Sequence, residues 1–170
     1  MREGEIEVMI KLKVDLEMIA SAMDDVARVD MDYYLDKETG EVIFLLEETS
    51  RYAEEEKDEN LREGLPDWQK KDIKVAQDIL FKNPDGYIYI PEGSPCNGYQ
   101  LMVEFTETIE DDLLREKLNI ALDGKGAFRR FKNVIADYPD YREKWFTFRD
   151  EKINKKVIEW LNNMGIEPYR

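Results

Sequence analysis

The sequence predicts an α+β fold, with a small antiparallel β-sheet from the N-terminal half packed with a helical C-terminal half. Three observations carry that expectation. Residues 31–48, MDYYLDKETGEVIFLLEE, place two strand-like runs on either side of a turn. From about residue 97 onward, apolar residues recur at helical spacing almost without a break. Strands and helices do not alternate along the chain, so a parallel α/β sheet is not expected. At 170 residues, with no internal repeat and no Gly/Ser linker, a single domain over 1–170 is the expectation.

Each element has its own signal. Residues 6–14, IEVMIKLKV, alternate loosely and are rich in β-branched residues, which predicts a strand. Asp15 reads as the N-cap of a helix over about 16–27, with Leu16, Ile19, Ala20, Met23 and Val26 or Ala27 on one face. In the hairpin, Asp36-Lys37-Glu38-Thr39-Gly40 makes the turn and Gly40 supplies positive φ. Met31, Tyr33 and Leu35 then share one face of its first strand.

Residues 47–64 carry eight acids and three bases, the composition of an exposed connection or short helix. Pro66 fits the first turn of a helix over about 66–82, with Ile73, Ala76 and Leu80 at helical spacing. Residues 83–86, NPDG, are a turn before a short strand, YIYIP, at 87–91. Ser94 before Pro95 reads as an N-cap and first-turn pair. Helices follow over 97–109, 111–122, 125–137 and 140–164, and everything from about 97 onward is expected to be helical.

Charge and composition narrow the function. The chain has 39 Asp and Glu against 25 Lys and Arg, a formal net charge of −14. Such a field repels nucleic acid and anionic membrane at long range, so extensive coating of nucleic acid is not expected. No window resembles a signal peptide or a transmembrane helix, and the single cysteine, Cys96, forms no intrachain disulfide. A cytoplasmic protein is the simplest expectation. Histidine is absent. That removes Ser-His and Cys-His nucleophile pairs, histidine-ligated zinc and imidazole acid–base catalysis. No cofactor motif is present.

Against the acidic background, GKGAFRRF at 124–131 stands out: Lys125, Arg129, Arg130 and the following Lys132 lie together with no carboxylate between them. As a site, Gly124 and Gly126 expose backbone N–H groups at a helix start, and Arg129 adds a bidentate guanidinium fork for phosphate or carboxylate. The candidate anion-binding residues are therefore Lys125, Gly126, Arg129 and Arg130. The order does not match the GxxxxGK[ST] phosphate loop. The competing reading is a helix start with an ordinary basic face. There Gly124 ends the preceding helix, and Phe128 and Phe131 both enter the core.

Other candidates are weaker. Tyr138, Tyr141, Trp145, Phe146, Phe148 and Trp160 interleave with bases but sit at helical spacing, so they read as core. Asp140 with Asp150-x-Lys152 echoes a metal-dependent nuclease, yet that pattern needs a strand and this segment reads as helix. Asp36, Glu38 and Glu47 fall at calcium-loop positions one, three and twelve, but Gly40 is one place early and the flanks are strands. Cys96 lies in a loop with no visible activating base.

Finally, TGEV at 39–42, GYQLMVEF, LNIALDGKGAFRRFKNVI, and Trp145 with the later EWLNNMGI resemble the uncharacterised bacterial family UPF0158. The resemblance spans nearly the whole chain. It implies a bacterial, cytoplasmic protein and transfers no activity and no catalytic residue. The leading expectation is a non-catalytic binding or regulatory domain, with an anion or phosphate at GKGAFRRF. The alternatives are a carboxylate-based, metal-dependent hydrolase and an acidic protein that binds a basic partner.

Overall fold

The computed structural model describes residues 8–55 and 63–170. The fold is α+β, and the chain divides into two compact units: Met1–Gly93 with Ile158–Arg170, and Ser94–Val157. The expected acidic connection lies in part outside the described residues, as do residues 6 and 7 of the first strand.

In the first unit, β1 (Ile10–Lys13) leads into α1 (Leu16–Asp24). Asp15 is the N-cap, its carboxylate accepting from the Met18 N–H at 3.0 Å. The helix is shorter than expected. The Asp25 side chain accepts from the Ala27 N–H at 3.0 Å, a local bond that competes with another helical turn. Val26 is consequently 91% exposed instead of continuing the apolar face.

The hairpin is where the sequence places it: β2 (Met31–Asp36) and β3 (Val42–Leu46), with Tyr33 opposite Phe44 and Leu35 opposite Val42. Asp36 fixes the turn by accepting from the N–H groups of Glu38 and Thr39, and Gly40 sits at φ +76°. The antiparallel sheet is completed by β4 (Tyr87–Ile90) on the other side of β2, in the order β3-β2-β4. Leu35, Ile88 and Ile90 are buried together on one face. On the other, Leu45 packs against Ala53 of α2 (Glu47–Glu54) and Ala76 of α3 (Asp67–Gln77). Arg28 ties α1 to β4, donating to the Ala22 and Ile90 carbonyls at 2.7 Å each, with its guanidinium over the Tyr33 ring.

After α3 the chain makes one wide turn over Asp78–Lys82, closed by the Asn83 N–H on the Asp78 carbonyl at 2.8 Å. Here the Tyr87 hydroxyl donates to the Asp78 carboxylate at 2.6 Å. That bond, reinforced by burial and by nearby carboxylates, pushes the phenol pKa up to about 12. The folded state therefore holds this proton more tightly than the unfolded chain does. Its contribution is intact below the ordinary tyrosine value of 10.0 and is lost as pH rises toward about 12. Denaturant unfolding between those limits should show stability falling with pH, and Tyr87→Phe should flatten the slope.

The C-terminus corrects one expectation. Helix does not run to the end: β5 (Ile166–Tyr169) pairs in parallel with β1, Ile10 opposite Ile166 and Leu12 opposite Pro168. Gly165, at φ +79°, lets the chain leave the helix, and Pro168 resists helix continuation. The two strands form a second sheet, separate from β3-β2-β4.

The second unit is built from α4 (Gly98–Glu107), α5 (Asp112–Ala121), α6 (Ala127–Ala136) and α7 (Pro139–Asn163) as far as Val157. The cap of α4 is Asn97, accepting from the Gln100 N–H at 3.0 Å. Ser94 does not cap it: the helix begins only at Gly98, and the Ser94 hydroxyl donates to the Cys96 carbonyl at 2.8 Å. Asp111 caps α5 on the Leu114 N–H. The core of this unit gathers Leu101, Phe105, Leu114, Leu118, Phe131 and Trp145. As the spacing predicts, the Trp145 stripe is core. Phe146, by contrast, is exposed between the guanidinium groups of Arg142 and Arg149.

Candidate functional site

GKGAFRRF forms the turn between α5 and α6 and the first turn and a half of α6. Two glycines shape it. Gly124 has φ +76° and Gly126 φ +81°, values that side chains resist, and Gly126 occupies the N-cap of α6 without a capping side chain. The first N–H groups of α6 therefore open beside Lys125 and Arg129 with no side-chain cap on them.

The buried stripe of α6 is Ala127, Phe131 and Ile135, spaced four apart. Phe131 is fully buried. Phe128 is not: it is 53% exposed, with its ring lying over Gly98, where a Cβ would stand 3.0 Å from the ring. The expectation that both phenylalanines enter the core is thus corrected. Once 127, 131 and 135 face inward, position 128 lies 100° from 127, at the edge of the stripe.

The basic residues divide. Arg130 turns back onto the end of α5. Its Nε donates to the Ala121 carbonyl at 3.0 Å, and its two terminal nitrogens reach the Asp123, Gly124 and Lys125 carbonyls. The Ala121 carbonyl is one that the helix end leaves without an intrahelical donor and the other three belong to the turn, so Arg130 acts as a side-chain clamp on the C-terminus of α5 and the turn. Lys125, Arg129 and Lys132 are exposed, and among the described residues none has a carboxylate within 4.0 Å. Elsewhere in this unit Arg115 pairs with Asp112, Lys152 with Glu104, and Lys117 sits on the Tyr138 hydroxyl, whereas Lys155 is exposed and, among the described residues, likewise without an ion pair. The hydrogen bond to Tyr138 raises the Lys117 pKa.

The turn borders a groove without forming its floor. Tyr99, Val103, Arg115, Ile120, Leu122 and Asp123 contribute to a groove of about 700 Å³, and the Tyr99 hydroxyl donates to the Leu122 carbonyl. Asp112, Glu116 and Asp123 make it acidic, and none of Lys125, Gly126, Arg129 or Arg130 lines it. The cations thus stand on open surface.

The other candidates separate as geometry requires. Asp150 and Lys152 lie on α7, so the nuclease-like strand is not formed. Asp36, Glu38 and Glu47 belong to the hairpin and the start of α2. Cys96 directs its Sγ to the Lys152 carbonyl at 3.7 Å. Among the described residues no three Asp, Glu or Cys side chains are grouped as a metal site would need. None of the described helices is long and apolar enough to cross a membrane.

Fold and surface together define a small acidic α+β protein with a cationic turn between two helices. The chain belongs to the uncharacterised protein family UPF0158, whose model matches residues 7–169. It is similar to a UPF0158 protein of Pseudomonas aeruginosa, 24% identical over 158 residues that make 92% of this chain and 86% of the relative. A UPF0158 protein of Chlamydia pneumoniae is 29% identical over 148 residues, 85% of this chain but 40% of its own length. An uncharacterised protein of the archaeon Methanocaldococcus jannaschii is 26% identical over 104 residues, 59% of this chain and 30% of its own. The chain thus spans less than half of the chlamydial and archaeal relatives. No solved structure matches it at the significance that these relatives reach.

Proposed function

We propose that this protein is a non-catalytic binding module of the bacterial cytoplasm that holds a phosphate-bearing anion at the α5–α6 turn. Lys125 and Arg129 supply the charge, Gly126 supplies the backbone opening, and Arg130 holds the turn in shape. One observation carries the reading. In a chain of net charge −14, Lys125 and Arg129 stand exposed and without a carboxylate partner among the described residues. Two neighbouring unpaired cations beside a helix N-terminus are complementary to an anion. Because the cations lie on open surface, they suit a phosphate displayed by a larger molecule better than an engulfed metabolite.

The test is calorimetric titration of inorganic phosphate, ATP and a short RNA into wild type and into Lys125→Gln/Arg129→Gln. At least one anion should bind wild type. The double variant should weaken it by about tenfold or more, equivalent to about 1.4 kcal/mol. Rising salt should weaken it too, since exposed charges are screened. Failure of all three anions to bind, or equal binding by the variant, overturns the assignment. A second reading, an acidic protein that engages a basic partner, draws on the same net charge and on the edge of the hairpin sheet.

A further inference from the structure

The strand β3 is an edge of the sheet, with β2 on one side and, among the described residues, no strand on the other. Its register decides which backbone groups face outward. The Asp36 N–H bonds the Glu41 carbonyl at 2.9 Å, and the Glu47 N–H bonds the Asp30 carbonyl at 2.8 Å. Antiparallel pairs alternate, so Ile43 and Leu45 direct their backbone groups to β2. Val42 and Phe44 direct theirs to the open side, as does the Leu46 N–H, whereas the Leu46 carbonyl turns into the start of α2 and accepts from the Ser50 hydroxyl at 3.3 Å.

The side chains on that side are apolar and uncovered. Phe44 is 62% exposed and Leu46 40% exposed, opposite Tyr33 and Met31 respectively. Exposed edge strands are ordinarily blunted by a charge, a proline or a bulge, and VIFLL contains no charge and no proline. The flanks are acidic: Glu41 precedes the strand, Glu47 and Glu48 follow it, and all three are exposed. Of these, Glu47 has a cation near it, Arg51 at 3.9 Å.

We infer that β3 is a docking edge for an extended, basic peptide segment of a partner protein, which adds to the sheet as a fourth strand. This deepens the second reading, in which an acidic protein engages a basic partner. Main-chain bonds to Val42, Phe44 and the Leu46 N–H provide the pairing, and Phe44 and Leu46 receive alternate apolar side chains of the guest. Basic residues between those side chains meet Glu41, Glu47 and Glu48. The acidic flanks disfavour a second copy of this chain. Antiparallel pairing of β3 with itself about Phe44 brings Glu41 of one copy toward Glu47 of the other, between molecules of net charge −14.

The probe is an end-blocked peptide of about ten residues, long enough for an ordinary strand, alternating Lys and Val; its control alternates Glu and Val. Binding to the full chain is followed by fluorescence anisotropy, and exchange of the Val42, Phe44 and Leu46 amides by NMR. The Lys/Val peptide should bind and slow exchange at those amides, and the Glu/Val peptide should not. Phe44→Lys/Leu46→Lys should weaken binding by about tenfold or more while circular dichroism and melting temperature are retained. Binding that the variant leaves unchanged, or no added protection of those amides, overturns the edge site while the basic-partner reading stands. No binding of the Lys/Val peptide overturns both. Self-association of wild type that Phe44→Lys abolishes, without peptide binding, assigns the edge to a second copy and overturns the proposal.

Discussion

Gly40→Ala is expected to destabilise the protein by roughly 3 kcal/mol or more, the sum of two separable costs. Gly40 is buried in the hairpin turn at φ +76°, a conformation that costs an alanine roughly 1–2 kcal/mol. In addition, a Cβ there would lie 1.8 Å from the carbonyl oxygen of Lys13 and 3.4 Å from Cγ of Leu12. The obstructing atom belongs to the backbone at the end of β1, so no rotamer change relieves it. Gly40→Asn separates the two costs. Asparagine tolerates positive φ better than alanine but carries the same Cβ. Chemical denaturation should therefore find Asn nearly as damaging as Ala. If Asn restores wild-type stability, the close approach of the turn to β1 is wrong.

Phe131→Ala should cost about 3–5 kcal/mol, the range for emptying a large aromatic site in a packed core. Phe131 is fully buried. Its ring meets Trp145 at 5.0 Å and Phe105 at 6.4 Å, both edge-on, and Phe105 in turn meets Phe148 at 5.5 Å. Removing one ring leaves the others facing a void and forfeits the edge-to-face contacts. Phe128→Ala, three residues earlier on the same helix, should cost about 1 kcal/mol or less, because half of that side chain is already in water. Equal losses at the two positions would mean that α6 is rotated from the orientation described here.

The hairpin with its turn glycine Gly40, the helices of the second unit and the cap at Asp15 were legible because their signals are local. A period-two run, a turn glycine and a carboxylate before an apolar helix each act within a few residues. β5 was not legible. Ile166–Tyr169 is a four-residue segment containing a proline, and it becomes a strand only by pairing with β1 at the opposite end of the chain. Phe128 misled because 128 and 131 are three apart, as acceptable a stripe as 127, 131 and 135. The deciding signal is the four-residue series of Ala127, Phe131 and Ile135, in which a small residue hides a buried position.

Within the basic run, the sequence revealed the cluster but not its division of labour. Arg130 and Arg129 are neighbours of identical chemistry. What separates them is the turn of α5 that Arg130 reaches back to cover. Gly124 and Gly126, with an arginine four residues beyond the second, are the sequence trace of that clamp. α5 ends at Ala121 with Leu122 as its C-cap, and the turn that the two glycines shape presents carbonyls that a following cation can satisfy.

That division is the central claim, and unfolding free energy tests it most directly. Arg130→Gln removes a charged donor from the Ala121, Asp123, Gly124 and Lys125 carbonyls and should destabilise the protein by about 2 kcal/mol, allowing for partial exposure to solvent. Lys125→Gln/Arg129→Gln touches no such bond and should change stability by less than about 0.5 kcal/mol, or raise it slightly if the cations repel one another. A stable Arg130→Gln beside a destabilised Lys125→Gln/Arg129→Gln would contradict the account: the clamp and the open cations would then have been assigned to the wrong residues.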